Sequence, residues 1–192
     1  GLWGQTSVPF RLTKYVEQWI LREADGINTL TEAVRPILCR FPGLRQRPGL
    51  PPWTVIPACV DLEYFKFDAA ARRRIRTRLG VGERPVLVYA GSVGTWYQLP
   101  EMLDFYAAAR ERWPGLFFLF LVNRSPEVVA SALEERGVAE RDHAVVWARH
   151  EEMPAYLSAS DAAIAFIRPS LSKQSSMPTK YGEYLSCGLP FA

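Results

Sequence analysis

The sequence predicts a doubly wound α/β fold: a parallel sheet with helices on both faces. Two observations predict it. From residue 68 onward, helix-like and strand-like segments alternate strictly along the 192-residue chain. The strand-like segments are short apolar runs, Leu116 to Val122 above all, of the kind buried on both faces of a parallel sheet. An apolar content of 48% is enough for a sizeable core, and the length suits one domain with an extension.

Residues 7 to 24 form the first expected helix, with Phe10, Tyr15, Ile20 and Leu21 set among Arg11, Lys14, Glu17 and Arg22 at helical spacing. Ala24-Asp25-Gly26 ends it. Residues 26 to 30 read as a short β-branched strand. Thr31-Glu32 then opens a helix to about Arg40, with Pro36 inside the pattern. Residues 41 to 53 are rich in proline and glycine, a composition common at domain boundaries. Residues 54 to 57 make a short strand.

The regular part follows. A basic helix spans 68 to 79 and turns at Gly80-Val81-Gly82. Strands are expected at 85–90, 116–122, 144–148 and 162–167. Helices are expected at 99–113, 126–136 and 151–158, with a closing helix from Pro178 to Gly188. In such sheets ligands bind beyond the carboxyl ends of the strands. The loops there are 91–98, 123–125, 149–150 and 168–176. A doubly wound domain normally continues past its last helix, so the chain is expected to be a truncated piece.

Composition narrows the classes. A net charge of +3 does not indicate a nucleic-acid protein. Cys39, Cys59 and Cys187 are odd in number and widely spaced, so neither a metal site nor a disulfide framework is expected. They read as buried thiols in a reducing cytoplasm. No apolar run reaches the ~18 residues of a membrane span, and residues 1 to 6 lack the pattern of a secretion signal.

Two segments carry candidate chemistry. Gly91-Ser92-Val93-Gly94-Thr95-Trp96 follows the first strand of the regular part. Its glycines permit a tight turn and close approach of a ligand, and the residues alone leave open a plain turn or a diphosphate-facing loop. The spacing is not G-x-G-x-x-G, and Asn123 rather than an acid ends the next strand, which disfavours a nicotinamide dinucleotide site. The second segment is the closing helix. The polar stretch from Arg168 through Ser170, Ser172, Lys173, Ser175, Ser176 and Met177 leads into Pro178, Thr179 and Lys180. A helix start of this kind suits a phosphate. Glu183, one turn in, suits a sugar diol.

The remaining polar and aromatic residues read more plainly. The run Arg72, Arg73, Arg74, Arg76, Arg78 is expected to be a solvated helix face, with Ile75 and Leu79 turned inward. His143 and His150 fit no nucleophile signature; His150, at a strand-end loop, reads as a helix start or plain surface position, with a ligand contact as the alternative. Trp96 and Tyr97 are placed to wall a base or sugar, whereas Phe105, Tyr106 and Trp113 are expected in the core.

Several segments together resemble the group 1 (family 4) glycosyltransferases. Residues 55 to 65, Val-Ile-Pro-Ala-Cys-Val-Asp-Leu-Glu-Tyr-Phe, are similar to the family's interdomain "VIPNGVDxxxF" segment. Residues 85 to 91 resemble its first donor-domain strand. Residues 178 to 190 resemble its donor-site helix with the Gly-x-Pro ending, and residues 25 to 32 a strand that closes its acceptor domain. The resemblance implies a GT-B fold, here a Rossmann-like donor domain at 54–192. Residues 1–53 would be a helix-strand-helix remnant of the acceptor domain with its linker. It implies transfer of a sugar from a nucleotide-diphosphate sugar to a glycan or lipid-linked acceptor. The transfer is expected to be retaining and to need neither metal nor cofactor. The setting it implies is the cytoplasm, with peripheral association at the inner face of the membrane, in polysaccharide biosynthesis.

Residue by residue, Glu183 matches the second glutamate of the family's E-x7-E motif, which holds the ribose. Ser176, Met177, Pro178 and Thr179 match the loop and helix start facing the donor. Two matches fail. The first glutamate falls on Ser175, and the family's Arg and Lys after the first strand fall on Ser92 and Tyr97. Lys180 and Lys173, with Arg168, are the expected substitutes for the cation on the departing diphosphate. Gly91, Ser92, Gly94 and Thr95 complete the expected donor site. The isolated chain is expected to transfer little sugar. A non-catalytic nucleotide-binding α/β domain is the alternative, consistent with Ser175 and Ser92.

Overall fold

A computed structural model describes residue 4, residues 6–94 and residues 96–192. Thr95 lies outside them. The first elements are α1 (Val8–Glu23), β1 (Ile27–Thr29), α2 (Arg35–Leu38), α3 (Pro42–Arg45) and β2 (Trp53–Val55). Then follow α4 (Ala69–Leu79), β3 (Val86–Ala90), α5 (Leu99–Arg112), β4 (Phe117–Leu121), α6 (Pro126–Glu135) and β5 (His143–Val146). The last are α7 (Met153–Ala159), β6 (Ala162–Ala163), α8 (Leu171–Gln174) and α9 (Thr179–Ser186). The described residues divide into two compact units. One holds residues within Gly1–Ala58 together with Ser170–Met177; the other holds Cys59–Pro169 with Pro178–Ala192.

In the first unit β1 and β2 pair in parallel, Ile27 opposite Trp53. No residue of α1 is buried, and its stripe of Leu12, Tyr15, Val16 and Trp19 is exposed. The helix is held at its C-terminal end. Arg47 Nη1 donates to the carbonyls of Leu21, Arg22 and Ala24, and Gln18 Oε1 accepts from the Gly43 N–H at 2.7 Å. The helix expected over 31–40 is instead a 3₁₀ turn at Glu32–Val34 followed by the four-residue α2. Pro36 is the reason. With no N–H it sits in the first turn of a helix and breaks an interior one. The breaker-rich 41–53 stretch contains α3, which opens on Pro42 by the same rule. Residues 170–177 join this unit where Thr31 Oγ1 donates to the Gln174 carbonyl at 2.7 Å. They hold α8, a helix where the sequence suggested only a loop; Ser170 Oγ caps it by accepting from Lys173 N–H.

The second unit is the doubly wound sheet. Its four described strands are all parallel, in the order β5-β4-β3-β6. Every residue of β3 and β4 is buried, as continuous apolar strands require when helices cover both faces. The core joins Val88, Phe118, Phe120, Met102, Leu103, Leu133, Leu157 and Ile164, all essentially inaccessible. Beyond β6, Ala163 N–H donates to the Pro190 carbonyl and Ala165 N–H to that of Ala192, so the end of the chain runs parallel beside β6. Strand β6 is shorter than the expected 162–167. After Ile164 the chain leaves β3, and Ile167 pairs with Tyr97 instead.

Three expectations are corrected here. Arg72 and Arg76 are not simply solvated. Arg72 donates to the carbonyls of Ser158 and Ser160, and the buried Arg76 to that of Ala159. They satisfy the open carbonyl end of α7 and share Asp161 between them. Phe105 and Trp113 are exposed rather than core. Of the cysteines only Cys187 is buried; Cys39 is half-buried and Cys59 exposed. Among the described residues no helix is long and apolar enough to cross a membrane.

Candidate functional site

The order β5-β4-β3-β6 places the reversal of strand order between β3 and β6. Open α/β sheets have a crevice there, outside the carboxyl ends of the strands. Here α9 closes it. Tyr184, fully buried, accepts the Ala90 N–H on its hydroxyl at 2.9 Å and so pins α9 to the last residue of β3. A Cβ on Gly182 would lie 3.2 Å from Val60, so the missing side chain lets α9 approach the segment after residue 58. Gly188, at φ 78°, ends the helix in the left-handed region. Pro178 is the N-cap and offers no side-chain acceptor. The first N–H groups of α9 therefore have no side-chain cap.

Lys180 reaches back from the first turn of α9 to the end of β3. It is buried, and its Nζ approaches Gly91 so closely that a Cβ there would lie 2.6 Å away. Gly91 has φ 135°, a conformation open to glycine and strained for other residues. The ammonium stands 3.7 Å from the centre of the Tyr97 ring and 4.4 Å from that of Tyr89. It donates to Tyr89 Oη at 3.4 Å, and Tyr89 donates in turn to the Ser92 carbonyl. Among the described residues it makes no ion pair. Burial lowers its pKa to about 7, opposed by the charge of Glu183, and the two ring faces also favour the cation.

Glu183 stands one turn further along α9, half-buried. Burial raises its pKa, against the charges of His150 and Lys180. With Thr179 it lines an open groove of about 590 Å³, whose other wall is Val60, Asp61, Tyr64 and His150. The His150 ring stacks on Tyr64 at 5.3 Å between centres, while Asp61 Oδ1 holds the turn by accepting from Glu63 and Tyr64 N–H. The groove thus combines a half-buried carboxylate with a flat aromatic wall, a pairing suited to a hydroxylated ring ligand.

Gly91, Ser92, Gly94, Arg168, Pro178, Thr179, Lys180 and Glu183 all belong to the second unit; there Lys180 lies against Gly91 and Thr179 shares a groove with Glu183, whereas Gly94 and Arg168 line a separate pocket with Tyr97. Arg168 is exposed, and its N–H donates to the Trp96 carbonyl at 2.8 Å. Lys173, Ser175, Ser176 and Met177 belong to the first unit. There Ser175 Oγ donates to the Ser172 carbonyl and Ser176 Oγ to that of Lys173. Thr95 lies outside the described residues. Sequence reasoning missed Tyr89 as a partner of Lys180, since a tyrosine inside a buried strand gives no signal of facing a cation. It placed His150 at a strand-end loop as a ligand contact or a plain surface residue, but missed its stacking on Tyr64, 86 residues away. Among the described residues no cluster of three His, Cys, Asp or Glu side chains is placed to hold a metal ion.

No family model matches the chain. It is 27% identical over 161 residues to a 2-deoxystreptamine glucosyltransferase of Streptomyces kanamyceticus, a match covering 80% of this chain and 39% of that protein. Among solved structures it superposes on HepE of Anabaena, crystallised with UDP and with UDP-glucose. With UDP alone the TM-score is 0.72 at 15% identity, over 94% of this chain and 48% of HepE. It also superposes on WaaG, a glycosyltransferase involved in lipopolysaccharide biosynthesis, with a TM-score of 0.70 at 15% identity over 97% of this chain and 49% of WaaG. The chain spans half or less of the length of these proteins. Its fold is therefore that of the GT-B group 1 glycosyltransferases, as the sequence predicted, and it resembles them in sequence as well.

Proposed function

We propose that this chain is the nucleotide-sugar side of a glycosyltransferase that moves a sugar from a nucleoside-diphosphate sugar to a glycan or lipid-linked acceptor. One observation carries the reading. A buried lysine that makes no ion pair among the described residues stands at the reversal point of the sheet, one turn from a half-buried glutamate. A diphosphate would complete the ion pair of Lys180 and accept from the uncapped N–H groups of α9. A ribose diol would donate to Glu183. As the sugar leaves, negative charge builds on the diphosphate, and a cation already in place stabilises it without a metal. We assign Lys180, with Arg168, to that task, and retention of anomeric configuration to the reaction. In this reading residues 54–192 are the donor-binding domain and residues 1–53 the end of an acceptor-side domain with its linker. The reaction would take place in the cytoplasm, with a lipid-linked acceptor presented at the inner face of the membrane.

UDP is the nucleotide of choice for a first test, because HepE binds it. Thermal unfolding of the chain with UDP, GDP and ADP measures binding directly. At a hundredfold excess over Kd a bound nucleotide adds about 2.7 kcal/mol. A rise with at least one nucleotide is expected, and the absence of a rise with all three would overturn the proposal. The chain, whose match covers 39% of the glucosyltransferase relative, is expected to bind without efficient transfer. Ser92 and Ser175, uncharged where the family carries Arg and Glu, favour a second reading as a binding domain without catalysis. Turnover of a UDP-sugar by the full-length protein decides between the two.

A further inference from the structure

Lys180 is seated in an unusual way. Most buried lysines are paired with a carboxylate. This one is held by two aromatic faces and a glycine. Tyr89 comes from the core of β3 and lies behind the amine. Tyr97 comes from the loop after β3 and lies over it at 3.7 Å. The ring of Tyr97 is fixed by its backbone. Tyr97 pairs with Ile167 and with Gly94, Gln98 N–H donates to the Phe166 carbonyl at 3.0 Å, and Arg168 N–H donates to Trp96. The two loops that flank the sheet reversal are thus fastened together, and Tyr97 lies between that fastening and the amine.

We propose that Tyr97 is a positioning residue for nucleotide binding: its ring seals the Lys180 amine against Gly91, and keeps it from water until an anion arrives to act as its counter-ion. The inference rests on the proposed nucleotide site. The ionisable groups around the amine are Tyr89 from β3, Tyr97 from the loop, and Glu183 and Tyr184 from α9, with His150 acting on Glu183. The tyrosines stay neutral, since burial raises all three. Among the described residues Glu183 is the group that offers negative charge to the amine, without a hydrogen bond to it. Burial lowers the pKa of Lys180 to about 7, so slightly above neutral pH a large share of the molecules carry a neutral amine. A diphosphate against Nζ restores the charge. Nucleotide binding therefore draws a proton from solvent into the Nζ of Lys180 in those molecules whose amine is neutral, a net uptake of less than one proton per site.

Calorimetric titration of the chain with UDP at pH 7.5, in buffers of high and low ionisation enthalpy, measures that uptake. The expected result is a net uptake of a fraction of a proton per UDP bound. Lys180→Met should abolish the uptake and weaken binding at least tenfold. Tyr97→Phe keeps the ring and should keep the uptake. Tyr97→Ala opens the amine to water, so uptake should fall below a third of the parent value while UDP still binds. Tyr97→Leu, an apolar cover without a π face, guards against a misfolded alanine variant and should hold an intermediate value. Binding with no proton uptake, or undiminished uptake in Lys180→Met or Tyr97→Ala, would overturn the inference and leave the nucleotide site standing. No binding of UDP, GDP or ADP by the parent chain would overturn both.

Discussion

Lys180 and Gly91 occupy one another's space: the amine lies where a side chain on the glycine would be, 2.6 Å from its Cβ position. The glycine at the end of β3 and the lysine in α9 are therefore one feature of the fold, though 89 positions separate them.

Gly91→Ala should break it. The alanine would have to adopt φ 135°, which costs about 1–3 kcal/mol, and would push Nζ from its seat. The denaturant midpoint should fall accordingly and UDP affinity should drop at least tenfold. In the Lys180→Ala background the same substitution should cost less, because only the backbone strain remains. Equal costs in the two backgrounds would refute a steric coupling.

Stability should rise with pH because of Lys180. Its folded pKa is lowered to about 7 from 10.5. Between those values the unfolded chain binds the proton more strongly, so each pH unit adds up to about 1.4 kcal/mol to the folded state. The rise should begin near pH 7. It should end near pH 10, where unfolded tyrosines start to ionise while Tyr89 and Tyr184 are held neutral by burial. Urea unfolding from pH 6.5 to 10 measures the slope. Lys180→Met should flatten it and raise stability at pH 6.5.

The sheet was legible because its period is simple. Buried parallel strands are apolar throughout, and each expected strand of the regular part overlaps an observed one. What failed was local. Pro36 and Pro42 set helix starts where the pattern suggested an interior or a linker. Arg72 and Arg76 looked solvated because the carbonyls they satisfy, at Ser158 to Ser160, lie more than 80 positions away. The site was half legible for the same reason. Lys180 and Glu183 share one helix turn and one motif, whereas Tyr89, Tyr64 and His150 meet them only through tertiary packing.

Glu183 should act as a carboxylate toward ribose. Glu183→Gln keeps the shape and removes the charge, and hydrogen bonds to charged groups are worth about 1.5–3 kcal/mol. UDP affinity should fall roughly tenfold or more, while affinity for inorganic pyrophosphate should barely change. Burial raises the pKa of Glu183, so the UDP affinity of the parent chain should decline as pH drops through a midpoint above that of an ordinary glutamate. The glutamine variant should lack that decline. Equal losses for UDP and pyrophosphate would remove Glu183 from the ribose.

The last prediction concerns the frame beneath the site. Asp161 sits just before β6, accepts from Arg72 at 2.6 Å and Arg76 at 3.3 Å, and also accepts the Val86 N–H at 2.8 Å. It thus joins α4 to the first residue of β3. Asp161→Asn keeps an acceptor for Val86 and leaves the buried Arg76 without its counter-charge. Breaking a buried pair in this way is costly, and the partial exposure of Asp161 reduces the cost to about 2 kcal/mol. Arg78 and Glu152 form a looser pair, 4.0 Å apart with the arginine mostly exposed. Glu152→Gln keeps an acceptor for the Arg149 N–H and should leave the urea midpoint close to that of the parent. Urea midpoints for the two variants, measured side by side at pH 7.5, check the difference. A loss in Asp161→Asn no larger than in Glu152→Gln would mean that hydrogen bonds to carbonyls, and not the shared carboxylate, hold Arg76 in place.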